Sequence, residues 1–133
     1  MSEPSFETIR PLLVSVDGTD PVRVALEHHT ELFVAEQSLS SGHEDARACA
    51  TARATTDALG QLTPEAVRFS LDWCALVKTG VHLPRLVVVM VAVDVAGAEM
   101  RYAGATVLGE DTGLAAAKAV LDAMNRRLGV TGL

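Results

Sequence analysis

Hydrophobic positions along this chain keep two different periods, and the order in which the periods change occurs twice. Residues 10–16 alternate weakly and run into Asp17-Gly18-Thr19-Asp20-Pro21, a cluster of turn formers, which predicts a short strand and then a tight reversal. Val22, Val24 and Leu26 alternate with Arg23, Ala25 and Glu27, the period of two expected of a strand with one buried face. His28-His29-Thr30 turns the chain into residues 31–39, where Leu32, Phe33, Val34 and Ala35 predict a second hairpin arm covered in part on both faces. Between Glu44 and Leu62 the period becomes helical, with Cys49, Ala52, Thr56 and Leu59 recurring every three or four residues, the mark of one helix face packed inward. Gly60 weakens the last turn, and Pro64 ends the helix because it has no N–H and its ring clashes with the turn before it.

The same succession then follows. Val67, Phe69, Leu71 and Trp73 alternate with Arg68, Ser70, Asp72 and Cys74, the clearest strand of the chain. After a loop over 78–84, residues 86–93 read Leu-Val-Val-Val-Met-Val-Ala-Val without polar alternation, which predicts a strand buried on both faces. Ala96-Gly97 turns the chain into a third strand through Met100, Tyr102 and Gly104 that ends near Gly109. Leu114, Ala117, Leu121, Met124 and Leu128, spaced by three and four, predict the final helix.

The succession is a repeat at the level of residues. Setting the second helix back by 65 places lays 52–59 (Ala-Arg-Ala-Thr-Thr-Asp-Ala-Leu) over 117–124 (Ala-Lys-Ala-Val-Leu-Asp-Ala-Met). In each copy a base precedes an acid by four residues, Arg53 to Asp57 and Lys118 to Asp122, which places both on one solvated helix face. Allowing three residues more in the loop before the helix, 31–35 corresponds to 99–103. The expected fold is therefore α+β: two βββα-type units, at about 10–62 and 65–129 of a single domain over 1–133, forming a sheet with two helices packed on one face. The other face of that sheet needs a cover, and the run 86–93 predicts one from a second copy or a partner protein.

Composition narrows the partners. A length of 133 residues suits one core. With 49% hydrophobic and 21% charged residues and a mean hydropathy of +0.26, the chain is too apolar for a disordered tail and carries apolar surface to share. A net charge of −6, a pI near 5.1 and 4% aromatic residues leave neither a phosphate-binding patch nor stacking platforms, so nucleic acid is not expected. Arg126-Arg127 falls at the end of the last helix, where cations offset the helix dipole. Residues 1–7 carry neither a basic nor an apolar signal segment, and the longest apolar run is far short of the roughly 20 residues needed to span a bilayer. No membrane and a cytoplasmic location are expected. Cys49 and Cys74 form no C-x-x-C pair, so free buried thiols are expected, with no metal site and no cofactor.

Tyr102-Ala103-Gly104-Ala105, followed by Asp111-Thr112-Gly113-Leu114 and the helix ending Asp122-Ala123-Met124-Asn125-Arg126, resembles the end of the regulatory domain of α-isopropylmalate synthases. The resemblance implies a pair of three-strand-plus-helix units that dimerises and binds leucine as a feedback inhibitor. In that family the first unit carries a Gly-x-Gly-Pro type loop before its helix, where this chain has Ser41-Gly42-His43-Glu44-Asp45, and the barrel that performs the condensation has no counterpart here.

Candidate site residues lie in the two loops that precede the helices, because free N–H groups converge there: Gly42, His43 and Glu44 in the first, Gly109, Glu110, Asp111 and Thr112 in the second. Their ordinary role is capping, with acids in the first turn of one helix and Asp111 or Thr112 as N-cap of the other. His28 and His29 are adjacent in a turn, where consecutive side chains diverge and do not share a metal. No nucleophile elbow, phosphate loop or dinucleotide fingerprint is present, and no catalytic residue is assigned. The expected function is a non-catalytic regulatory or dimerisation module that binds a small metabolite such as an amino acid. The alternative is a small enzyme that uses His43, Glu44 or His28 as acid or base between subunits.

Overall fold

The computed structural model describes residues 11–17 and 19–130, the last five of these by backbone alone. Residues 1–7, Arg10 and Gly18, and the side chains of Arg126, Arg127 and Leu128, on which the sequence reading drew, lie outside the described residues. The elements run β1 (Leu12–Asp17), β2 (Val22–His28), β3 (Glu31–Gln37), α1 (Glu44–Leu62), β4 (Val67–Val77), β5 (Leu86–Val95), β6 (Ala98–Val107) and α2 (Thr112–Val130). This is an α+β arrangement of two βββα units, as the periodicity predicts. The strands do not form the single sheet expected but divide into two antiparallel sheets, β1-β2-β3 and β4-β5-β6, one from each unit.

The hairpins β2–β3 and β5–β6 close through two-residue turns. His29 and Thr30 sit at φ 53° and 64°, and Ala96 and Gly97 at 53° and 94°. Left-handed backbone at both central positions matches the twist of the flanking strands, and it pairs His28 with Glu31 and Val95 with Ala98.

The two helices pack on each other and on both sheets: α1 lies against β2, β3 and β4, α2 against β5, β6 and β1. That placement explains a buried arc on α1 wider than a single stripe, including Ala48, Ala50, Thr51, Ala54, Thr55 and Ala58 as well as Ala52, Thr56 and Leu59. Small residues on all these sides let backbone approach backbone. The closest approach is at Gly104, where an added Cβ would stand 2.1 Å from the carbonyl oxygen of Ala119. Thr51 and Thr55 satisfy their buried hydroxyls within the helix, donating to the carbonyls of Arg47 and Thr51 at 2.7 Å each. Val24 and Leu26 of the first sheet and Val87, Val89, Val91 and Val93 of the second join Leu59, Val120 and Met124 in one buried cluster. Each such side chain contributes about 1.5–3 kcal/mol of burial.

The repeat has a structural counterpart. Asp57 accepts from Gln37 Nε2 at 2.7 Å and Asp122 accepts from the N–H of Ala105 at 3.2 Å, so the matching acids both tie a helix to the third strand of its own unit. The strand correspondence is one residue out, however. Ala35 packs toward the core while Ala103, 68 places on, is exposed. Faces coincide at a shift of 67, which sets Ala35 with Tyr102, because a slip of one residue reverses the facing of a whole strand.

Two further strand expectations change. The alternation of β4 breaks between Leu71 and Trp73, where a bulge shifts the register against β5. Beyond it Cys74 and Leu76 pack on the core, and Trp73 turns outward, 50% exposed, since one extra residue inverts every later side chain. In β5 only one face is sealed: Val87, Val89 and Val91 are fully buried, whereas Leu86, Val88 and Met90 on the other face are half-buried, with no described element over them.

That outer face of the second sheet has two zones. At one end Arg68, Asp94 and Glu99 lie abreast, and Arg101 reaches across the central strand to Asp72 at 2.8 Å, over buried Ala92, its partner in register. At the other end three rows are wholly apolar: Trp73-Met90-Ala103, Ala75-Val88-Ala105 and Val77-Leu86-Val107. The β4–β5 loop leaves from that same end and exposes Val81 and Leu83. No helix among the described residues is long and apolar enough to cross a membrane.

Candidate functional site

Both helices begin at the apolar end of the second sheet, and their first turns are joined. The chain enters α1 through Ser41, whose hydroxyl accepts from the N–H of His43 at 3.2 Å. His43 is the N-cap, with φ −72° and ψ 153°, and its side chain makes no capping hydrogen bond. α2 is capped by Asp111, whose carboxylate accepts from the N–H of Leu114 at 3.0 Å.

Glu44 links the two ends. One carboxylate oxygen accepts from Arg85 Nη2 at 2.7 Å and the other from the Thr112 hydroxyl at 3.1 Å, across 68 residues of sequence. The hydrogen bond from Arg85, and after it the one from Thr112, hold the Glu44 carboxyl below the usual carboxylate range. Arg85 is placed by its own backbone, since its carbonyl accepts from the N–H of Leu108 at 2.8 Å just past β6.

An open cleft of about 560 Å³ lies between these turns, lined by Gly42, Glu44, Arg47, Glu110, Asp111 and Thr112. The two predicted loops therefore meet at one place. Gly109 falls in an adjoining hollow of about 130 Å³ shared with Val107, Glu110, Asp111 and Lys118. His43 lines neither. The sequence reading missed Arg47 and Arg85. Arg47 had a signal, standing three residues after Glu44 on the same helix face; Arg85 had none, since only tertiary folding brings it to α1. The cleft brings the acids Glu44, Glu110 and Asp111 and the base Arg47 together at the N-termini of the two helices.

His28 and His29 do not diverge as expected: their rings lie tilted by 39° with centroids 4.0 Å apart at the tip of the β2–β3 hairpin. That tip is the end of β3 opposite the one leading to α1, about 20 Å away along the strand, so His28 does not join His43 and Glu44. A second open cleft, of about 710 Å³, lies at the other end of α1 against β4, lined among others by Asp57, Gln61, Glu65 and Arg68. Asp57 and Gln61 are already engaged by β3, through Gln37 and the carbonyl of Val34. Among the described residues no three His, Cys, Asp or Glu side chains stand together as a metal site.

Cys49 on α1 and Cys74 on β4 face each other, with the Cys49 thiol donating to the Cys74 carbonyl at 3.7 Å. Burial, and after it the neighbouring Cys49 thiol, push the Cys74 thiol up to about 12. Comparison of the chain with protein-family models, with curated proteins and with solved structures finds no match.

Proposed function

We propose that the chain is a non-catalytic dimerisation module that holds a small zwitterionic metabolite, such as an amino acid, in the cleft between its helix N-termini. The observation that carries the reading is the apolar end of the outer face of the second sheet, nine apolar side chains in three abreast rows with no described element over them. Three strands about 4.8 Å apart and three rows about 6.8 Å apart give a flat core of roughly 300 Å². Exposed Val81 and Leu83 extend it. That is a size at which a monomer's largest patch is commonly functional, and it is small enough to need a rim to reach a stable interface of about 800 Å² per copy.

The rim supports a second copy as the occupant. Arg68, Arg101, Asp72, Asp94 and Glu99 supply both signs of charge at one border of the patch, so a two-fold related face can set each sign against its opposite. Val107 belongs both to the apolar rows and to the hollow beside the cleft, so a partner seated on the face lies next to any bound ligand. The resemblance to the regulatory domains of α-isopropylmalate synthases supports the same pairing of assembly and ligand.

Sedimentation equilibrium tests the assembly directly. The chain sediments as a dimer at micromolar concentration, Met90→Glu makes it a monomer, and Leu32→Glu on the outer face of the first sheet leaves it a dimer. A monomeric wild type, or a Met90→Glu dimer, refutes the reading. A thermal-shift screen of amino acids tests the cleft, since a ligand that binds only the native state raises its melting temperature. A ligand consumed over time would replace the module by an enzyme.

A further inference from the structure

Neither the cleft nor the apolar face uses the two cysteines, and their juxtaposition is a product of the bulge in β4. On an unbroken alternation Cys74 would share the outward face with Arg68 and Ser70; the extra residue at Asp72 turns it in toward α1. There the Cys49 sulfur reaches the Cys74 carbonyl at 3.7 Å, which sets the Cys49 side chain against the backbone of Cys74. A disulfide needs the two Cβ atoms about 3.5–4.5 Å apart, and a side-chain rotation at Cys49, already in contact with the Cys74 backbone, is the movement that closing it requires. Both residues are half-buried rather than sealed, which leaves a path for a small oxidant. Arg53 and Asp45 act on Cys74 in opposite senses, so no strong local field marks it as a thiolate nucleophile.

We propose that Cys49 and Cys74 are a reversible oxidation site that closes a disulfide between α1 and β4. The oxidant is a low-molecular-weight disulfide. The Cys49 thiolate, its proton lost to solvent, attacks one sulfur of that disulfide, forming a mixed disulfide and releasing one small thiol. Cys74, its proton likewise lost, attacks the Cys49 sulfur, forming the internal bond and releasing the second small thiol. The protein gives up two electrons and two protons, and the oxidant's sulfur–sulfur bond is reduced. Cys49 takes the first step because the Cys74 thiol is the one held protonated by its surroundings. The bond closes a loop of 25 residues in sequence and pins the first turns of α1, which begin at Glu44, to the second sheet. The inference is independent of the ligand and dimer reading.

The test uses the whole chain with oxidised glutathione at pH 8, read by intact mass. Wild type is expected to lose two hydrogens, to become inert to iodoacetamide, to regain both thiols with dithiothreitol, and in its oxidised form to melt several degrees above the reduced form. Cys74→Ser is expected to hold one persistent glutathione adduct on Cys49, and Cys49→Ser to stay unmodified over the same time. Wild type that carries stable glutathione adducts, that links to a second copy on a non-reducing gel, or that keeps both thiols open to alkylation overturns the proposal. A disulfide formed without a rise in melting temperature overturns the clamp.

Discussion

Replacing Gly104 with alanine tests how the second unit is held together. A Cβ at this position would meet the carbonyl oxygen of Ala119 at 2.1 Å, the amide nitrogen of Ala123 at 2.6 Å and its Cβ at 2.9 Å. Two of the three are backbone atoms of α2, so no rotamer change relieves the clash. Reaching even 3.0 Å from the Ala119 oxygen requires β6 and α2 to separate by about 0.9 Å. A gap of that size forfeits a quarter to a half of each dispersion contact along the interface, and Ala116, Ala119, Val120, Ala123 and Met124 are all fully buried. Overpacking of this kind costs about 1–3 kcal/mol, and more when backbone must move, while alanine in a strand recovers about 0.5–1 kcal/mol relative to glycine. The net expectation is a loss of about 2–3 kcal/mol and a fall in Tm on the order of 10 °C, measured by calorimetry and urea unfolding. Gly109→Ala, whose Cβ meets nothing within 4 Å, is the control and should stay within about 0.5 kcal/mol of the parent. A Gly104→Ala protein that melts within a degree or two of the parent would mean that α2 does not sit on β6 as described.

Three other substitutions have a stated direction. Gly60 lies inside α1, exposed and with open space around its Cα, so Gly60→Ala should add about 0.5–1 kcal/mol by urea unfolding; a loss would mean that the last turn of α1 is not helical. His29 and Thr30 hold left-handed backbone that Asn and Gly adopt more readily, so the double substitution His29→Asn with Thr30→Gly should stabilise by about 1 kcal/mol, and a fall in the urea midpoint would reject the turn type. The Glu44 carboxyl is held low by Arg85 and Thr112, so its contribution to stability is present at neutral pH and is lost as pH falls below the ordinary carboxylate range. The urea midpoints of wild type and Glu44→Gln should therefore converge on acidification, and a difference that stays constant from pH 7 to pH 3 would reject the linkage.

The sequence carried the features that rest on local chemistry. The hairpin tips at His29-Thr30 and Ala96-Gly97, the stop before Pro64 and the two loops ahead of the helices could all be read because each depends on neighbours a few residues away. The meeting of those loops could be anticipated only through the repeat, which put both helices in equivalent settings. What escaped was set by contacts distant in sequence. Arg85 bonds Glu44 across 41 residues, and nothing near either residue announces the pair. The two units form two sheets where one was expected, since hydrophobic alternation records which face is buried and not which edge is paired. The run in β5 looked doubly buried because valine on a covered face and valine on an open apolar face are the same letter.

The bulge at Asp72 has the widest reach of these hidden features. No glycine or proline marks it, and up to Leu71 the strand alternates as the sequence predicts. One extra residue then turns Cys74 and Leu76 inward to α1 and sends Trp73, Ala75 and Val77 outward beside Leu86, Val88 and Met90. Asp72 itself is left unpaired in register, and Arg101 reaches across β5 to meet it. Both side chains are about half exposed, and such a pair stabilises by roughly 0–1 kcal/mol, so its importance is positional. It covers Ala92 and divides the outer face into a charged zone and an apolar zone. Without the bulge, Cys74 would take an outward position, the apolar rows would lose Trp73, Ala75 and Val77, and Cys49 would face no second thiol. The apolar face and the cysteine pair thus arise from the same inserted residue.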